Sequence, residues 1–409
     1  MKQKKLYYGW VVVAACFLLL AFGLGIGYSC FSLYIKPICE DMGYSRTKVA
    51  LVQTISASVS FGLSFFSGKI FGKFGVKNML RAGAVLLPLS WVIFGSAPNL
   101  ITLYLGGVVL ALGFYSGSMM ACSMIMGNWF KNNLATITGI TFMGSGFGAM
   151  VFNSVSGVLL SNYGWRASML ILSAVIAVVT IPMAFLVIKV TPQEMGLLPL
   201  GASESESQAS APVYGLTLKQ AMSTHQFWLF AAAFVVYNIP ANMLNQTVYA
   251  HMTDVGYSIT TAANITAAVM ASMAVSKIVL GAAYDKLGIR VASLFVCVCL
   301  AISYLGLYFA SSMVMVVVTV IFIGTACSFG SMANPAITRT VFGTRDYAAI
   351  YGLIGAFGSM GSMITPIFSN SIFEATGSYN LAYLIGVGLT ALLAIIIIAA
   401  TASKPKVKE

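Results

Sequence analysis

Apolar residues follow one another along this chain in stretches of twenty or more, divided by short polar breaks. Each stretch is long enough to cross ~30 Å of hydrocarbon as a helix. The pattern predicts twelve spans, at 8–35, 46–68, 79–97, 100–127, 133–160, 166–189, 225–250, 259–283, 290–310, 313–338, 347–373 and 379–401. An even number returns the chain to the side from which it started. The first apolar run follows a basic start but is too long for the core of a cleaved signal peptide, so it reads as a retained span. Between the sixth and seventh spans, the polar, Ser- and Glu-containing stretch around 201–208 cannot bury a core. The expected organisation is therefore a six-helix bundle over 1–189, a flexible cytoplasmic linker over 190–224 with a short helix from Leu216 to Met222, and a second six-helix bundle over 225–409.

Composition makes lipid the solvent. Hydrophobic residues are 59% of the chain and charged residues 8%, against roughly 25% charged in soluble domains. The net charge of +12 is spread over short clusters between spans: Lys2, Lys4 and Lys5; Lys69, Lys73, Lys77 and Arg81; Lys286 and Arg290; Arg339 and Arg345; Lys404, Lys406 and Lys408. Alternate inter-helix segments are basic, which is a topology signal and not a nucleic-acid footprint. It places both termini in the cytoplasm and the chain in the inner (plasma) membrane, with the bilayer as its surroundings and no nucleic-acid partner. The seven cysteines are scattered, and Cys297 and Cys299 point to different faces of one helix. No disulfide, metal or cofactor is expected.

The two halves repeat at a shift of about 213 residues. Gly68-Lys69-Ile70-Phe71-Gly72-Lys73-Phe74-Gly75-Val76-Lys77 aligns with Gly281-Ala282-Ala283-Tyr284-Asp285-Lys286-Leu287-Gly288-Ile289-Arg290, and Ala135, Gly139 and Gly148 with Ala348, Gly352 and Gly361. Internal repeats of this kind accompany alternating access in transporters. On these residues the chain resembles the major facilitator superfamily, whose signature between spans two and three is Gly-x-x-x-Asp-Arg/Lys-x-Gly-Arg/Lys. The resemblance implies an all-α membrane protein of two pseudo-symmetric six-helix bundles, with gating roles for Asp285, Lys286, Arg290, Gly68 and Lys73. The N-terminal copy departs from the signature, because Gly72 stands where the acid belongs. Within the superfamily the chain looks like the oxalate/formate antiporter and monocarboxylate transporter branch. Tyr8-Gly9-Trp10, Asn128-Trp129-Phe130, Gln226-Phe227-Trp228 and His251 to Gly256 carry that likeness. Lys277 replaces that branch's eighth-span arginine, and 355–359 lacks the second cation of oxalate-type members. A monocarboxylate is thereby favoured over a dicarboxylate.

Each of the ten acidic residues falls in a loop, a terminus or a helix end, whereas Lys277 sits well inside a span. A lysine there costs a few kcal/mol unless it meets a partner or a watery cavity; snorkelling to the interface is the alternative. With no carboxylate inside a span to neutralise it, the expected counter-charge is an anionic substrate. Met273 shares a helical stripe with Lys277, and Tyr115 and Met119 share one on the fourth span; Tyr28 and Phe31 lie together on the first and Asn242 on the seventh. These are the candidate substrate-binding residues, weighed against the packing role that aromatic and Met stripes ordinarily have. Gly144 and Gly148 read as a close helix-packing pair and not as a nucleotide loop, since no strand precedes them. The expected activity is secondary transport of a small organic anion by a monomer, with proton coupling or exchange for a counter-anion left open. A multidrug exporter of the same fold is the rival, and it would want an acid inside a span. An enzyme would need a cluster of catalytic groups, and His225 and His251 stand at opposite ends of one span.

Overall fold

In hydrocarbon the backbone has no outside hydrogen-bond partner, so every apolar run must satisfy itself as a helix. A computed structural model describes residues 7–27, 29–202, 214–309 and 313–402. In chain order the helices are α1 (Tyr8–Leu20), a wider π turn (Ala21–Ile26), α2 (Phe31–Met42), α3 (Arg46–Phe65), α4 (Ser67–Gly95), α5 (Leu100–Ser116), α6 (Met119–Trp129), α7 (Leu134–Pro182), α8 (Leu218–Met222), α9 (His225–Asp254), α10 (Ile259–Tyr308), α11 (Met313–Ile337), α12 (Tyr347–Thr376) and α13 (Asn380–Ala400). The chain divides into two compact units, Met1–Ala211 and Pro212–Glu409.

Among the described residues, ten helical stretches are long and apolar enough to cross a bilayer. One runs 54 residues, Leu134–Val187, which as a straight rod would be about 80 Å, far beyond any bilayer. Gly164 (φ 71°, ψ 174°) turns the chain inside it, and Gly288 (φ 75°, ψ 172°) does the same inside α10. Splitting both helices there gives the twelve spans read from the sequence.

The repeat is written into the backbone as well. Gly75 (φ 73°, ψ 155°) kinks α4 at the position equivalent to Gly288. Gly43 and Gly256, and Gly164 and Gly377, likewise share positive φ at the same shift. Ser45 and Ser258 are equivalent too, and each caps a helix by accepting from the backbone N–H three residues on. The eighth position of the repeated motif is glycine because a positive φ with extended ψ is closed to side chains carrying a Cβ. Gly288→Ala is therefore expected to destabilise the protein by about 1–3 kcal/mol, seen as a lower thermal midpoint in detergent. An unchanged midpoint would show that the turn relaxes to an ordinary conformation.

In the first unit, α1 and the π turn lie along α7, and α4 packs on α5 and α7. Phe31, Tyr34, Trp91 and Phe94 form its fully buried centre, with the Tyr34 hydroxyl 2.6 Å from Ser168 Oγ. In the second, α10 packs on α11, α9 on α12, and α13 on both α9 and α10. The fourth span departs from the continuous helix expected over 100–127: it breaks at Gly117-Ser118 between α5 and α6. The break faces Gly83, where a Cβ would fall on the Gly117 nitrogen, so the two spans touch backbone to backbone there.

The segment expected as a flexible linker is ordered at both its ends. Leu200 pairs with Phe130 in an isolated bridge, and Gly215 pairs with Gly343. The short helix appears as Leu218–Met222, closed by a capping box between Thr217 and Gln220. Residues 203–213, the centre of the linker, lie outside the described residues.

Candidate functional site

Lys277 lies in the first arm of α10, between Ile259 and the Gly288 turn, and is 6% exposed. Among the described residues it is the only lysine or arginine that is buried. Its helix cannot rotate freely about its own axis. Ser272 Oγ donates to the Ile321 carbonyl (3.1 Å), and Ser276 Oγ is 3.1 Å from Thr325 Oγ1, so α11 fixes the face on which Lys277 stands. Met273, one turn earlier, is half-buried on the same stripe, and its carbonyl accepts from Ser328 (3.0 Å). The described carboxylates all sit at helix ends or in connecting segments, as Glu40, Asp41, Glu194, Asp254, Asp285, Asp346 and Glu374 show.

Asn242 is half-buried on α9 and works between helices. Its amide Nδ2 donates to the Asn238 carbonyl (2.8 Å) and to Ser362 Oγ on α12 (3.0 Å), and Ser362 Oγ donates in turn to Asn238 Oδ1 (3.2 Å). The amide dipoles expected to meet substrate are thus in use as a clamp between α9 and α12. In the first unit Phe31 is fully buried against Phe94, ring centres 4.9 Å apart, as part of the core. Tyr115 and Met119 flank the break at Gly117-Ser118. Tyr115 packs edge-on to Phe71 (6.0 Å), and its buried hydroxyl has Ser67 as its polar neighbour. Tyr28 lies outside the described residues, between the π turn and α2. Interrupted helices in transporters are where substrate groups are commonly met, and the first unit interrupts both its first and its fourth spans.

The residues expected to gate lie at the basic end of each unit. Asp285, Lys286 and Arg290 are exposed around the Gly288 turn. Gly68 lies in the first turn of α4, and Lys73 is exposed, its ammonium 5.6 Å from the Phe74 ring centre. The N-terminal motif copy lacks its acid, and an ion pair is made there from elsewhere: Lys77 Nζ lies 2.6 Å from Glu194 Oε2, in the short 3₁₀ turn Pro192–Met195. Burial alone would raise the Glu194 carboxyl, but hydrogen bonds from Lys77 and the Val190 N–H hold it below the usual carboxylate range. Both partners are partly exposed, which limits the pair to about 1 kcal/mol or less. Sequence reading missed this pair because Glu194 sits in the segment taken for linker. The Thr-Pro start of a short helical turn was the one available signal.

The stretches that carry the family likeness fasten the same end. The Tyr8 hydroxyl donates to the Val187 carbonyl (2.8 Å), Trp129 Nε1 to Lys189 (2.8 Å) and Asn128 Nδ2 to Val190 (3.1 Å). Gly9 leaves room for the Tyr7 and Phe130 rings. A sequence model of the Major Facilitator Superfamily matches residues 17–312 and 235–409. The chain belongs to that superfamily. It has the helices of a multi-pass membrane protein.

Among relatives, this major facilitator protein is 21% identical to mouse Monocarboxylate transporter 12 over 92% of this chain and 82% of that one. It is 25% identical to mouse Monocarboxylate transporter 3, over 40% of this chain and 33% of that protein. The match therefore spans about a third of that relative's length. The uncharacterized MFS-type transporter YhjX of Escherichia coli is 26% identical over 81% of each chain. Of solved structures, the E. coli fucose:proton symporter superposes with a TM-score of 0.74 at 13% identity, covering 97% of this chain and all of that one. The human organic anion transporter MFSD10 gives 0.69 at 11%, covering 95% and 99%. At such identities these structures speak to the fold alone.

Proposed function

We propose that this protein is a secondary transporter of a small organic anion, most simply a monocarboxylate, working by alternating access. The observation that carries the reading is Lys277, a cation buried inside a span whose rotation α11 fixes. An ionisable group at such depth is a functional site by default, and a cation selects an anion. Support comes also from the relatives' names, which are monocarboxylate transporters. The region 355–359 contributes no second cation, which fits one carboxylate better than two. Charge neutralisation of Lys277 by the substrate would lower the cost of closing the site around it. Proton movement on Lys277 and exchange against a second anion both satisfy this scheme. The basic loops are assigned to the cytoplasmic side of the plasma membrane, which puts both termini there.

The test is a ligand screen by thermal shift on the purified protein, followed by uptake in proteoliposomes. A monocarboxylate at a hundred times its dissociation constant should stabilise the folded state by about 2.7 kcal/mol, with dicarboxylates weaker and lipophilic cations inert. Stabilisation by lipophilic cations, with none by anions, would replace this reading with a multidrug exporter.

A further inference from the structure

At the end of the second unit opposite its basic loops, three helix ends meet at one histidine. His251 is 5% exposed, two residues past the apolar stretch His225–Tyr249. Its Nε2 is 2.9 Å from the carbonyl oxygen of Leu307, near the end of α10. A carbonyl only accepts, so Nε2 carries the hydrogen and Nδ1 is the atom that can take up a proton. The ring stands edge-on to Tyr383 of α13 (5.0 Å, 84°), whose hydroxyl donates to Thr247 Oγ1 on α9 (3.2 Å). Asp254 lies three residues on, on the same helix face. Beside them is a cavity of about 270 Å³, half polar in its lining, walled by His251, Asp254, Tyr308, Ser378, Tyr379 and Asn380.

The internal repeat supplies the comparison. Asp41 is the first unit's equivalent of Asp254, and there it accepts from Trp165 Nε1 (3.1 Å) and Arg166 (3.4 Å). Arg166 also donates to the Ala97 carbonyl (2.7 Å), at the end of the third span. The same corner is thus built twice: an acid at the end of one helix, and a donor that caps the third span of its unit. In the first unit the donor is arginine, charged at every working pH. In the second it is histidine, beside a cavity large enough for several water molecules.

From this geometry we infer that His251 and Asp254 form a proton-binding site at the outer end of the second unit, reached through the cavity. The proton passes from water to Nδ1. Nε2–H keeps its bond to Leu307, where a positive ring is favoured by the carbonyl end of the helix, and Asp254 supplies the balancing charge. The titratable groups facing the ring are Asp254 from α9, Tyr308 from α10, and Tyr379 and Tyr383 from the start of α13. Burial holds the imidazole below its ordinary value, and the Leu307 carbonyl and Asp254 partly restore it. The sign follows: a depressed histidine favours the packed corner above its unfolded value, and that contribution is lost as pH falls through the folded value. Acidification therefore charges this junction of three helices. The functional side of the inference rests on the anion-transport reading; the binding of the proton does not.

The chain has two histidines, and His225 is exposed. In the His225→Gln variant, a labelled-histidine NMR titration of the full protein in detergent reads His251 alone. The expected result is one resonance titrating below the ordinary value of about 6.5, moved lower still by Asp254→Asn. A resonance that stays put down to about pH 4, or a midpoint indifferent to Asp254→Asn, overturns the proton site. Uptake in proteoliposomes supplies the second arm. An acid-side inflection present in His225→Gln and absent in His251→Gln is the expected outcome, and identical profiles would exclude any role in transport. Were no anion transported at all, the anion reading would fall while the titration still judged the site.

Discussion

Lys277→Gln is expected to remove anion-dependent stabilisation and uptake while leaving the protein folded. Breaking a desolvated charge pair commonly forfeits about 2–5 kcal/mol, which corresponds to roughly thirty-fold to several-thousand-fold weaker binding. Lys277 is 6% exposed, so the ligand-free melting midpoint of Lys277→Gln is measured beside the parent's, and lost uptake is thereby told apart from lost protein. Lys277→Arg keeps the charge but changes its shape and hydration, so partial retention of binding is expected. Unaltered monocarboxylate uptake by Lys277→Gln would remove this residue from the site.

The second large effect is expected at Gly148. A Cβ there would fall on the Ala21 carbonyl oxygen, and one on Gly144 would fall on that of Phe17. Both are backbone atoms of α1 and the π turn, so no side chain can swing aside. Gly25 meets the same seam from the other side, where a Cβ would stand 2.7 Å from the Gly148 carbonyl carbon. Gly148→Val should destabilise the first unit by about 3 kcal/mol or more, the upper range for overpacking, and lower the yield of monodisperse protein. Gly157→Val is the control, because a Cβ there meets nothing within 4 Å. Equal behaviour of the two variants would show that α1 and α7 separate at little cost.

How much was legible in the sequence follows from which interactions are local. Spans were legible because lipid imposes one rule on every residue of a stretch, so twelve apolar runs survive even where the structure joins two of them through Gly164 or Gly288. The repeated glycine was legible for the same reason, as a backbone demand confined to one position. The break at Gly117-Ser118 was not, since the backbone it meets, at Gly83, belongs to another span. A period alone places Phe31, Tyr115 and Asn242 on faces without saying what lies opposite. The structure shows Phe31 in the core, Tyr115 beside Phe71 and Asn242 bonded to Ser362. The Lys77–Glu194 pair and the corner around His251 join residues far apart in the chain. Lys277 stood out because one charge within a span is visible from the sequence whatever its neighbours are.

The two isolated bridges have a mechanical meaning. Leu200 is tied to Phe130 and Gly215 to Gly343, positions equivalent in the repeat, and each tie lies within its own unit. The backbone that leaves the first unit and the backbone that enters the second are thereby each fixed to the loop after the fourth or the tenth span, the same corner of the repeat.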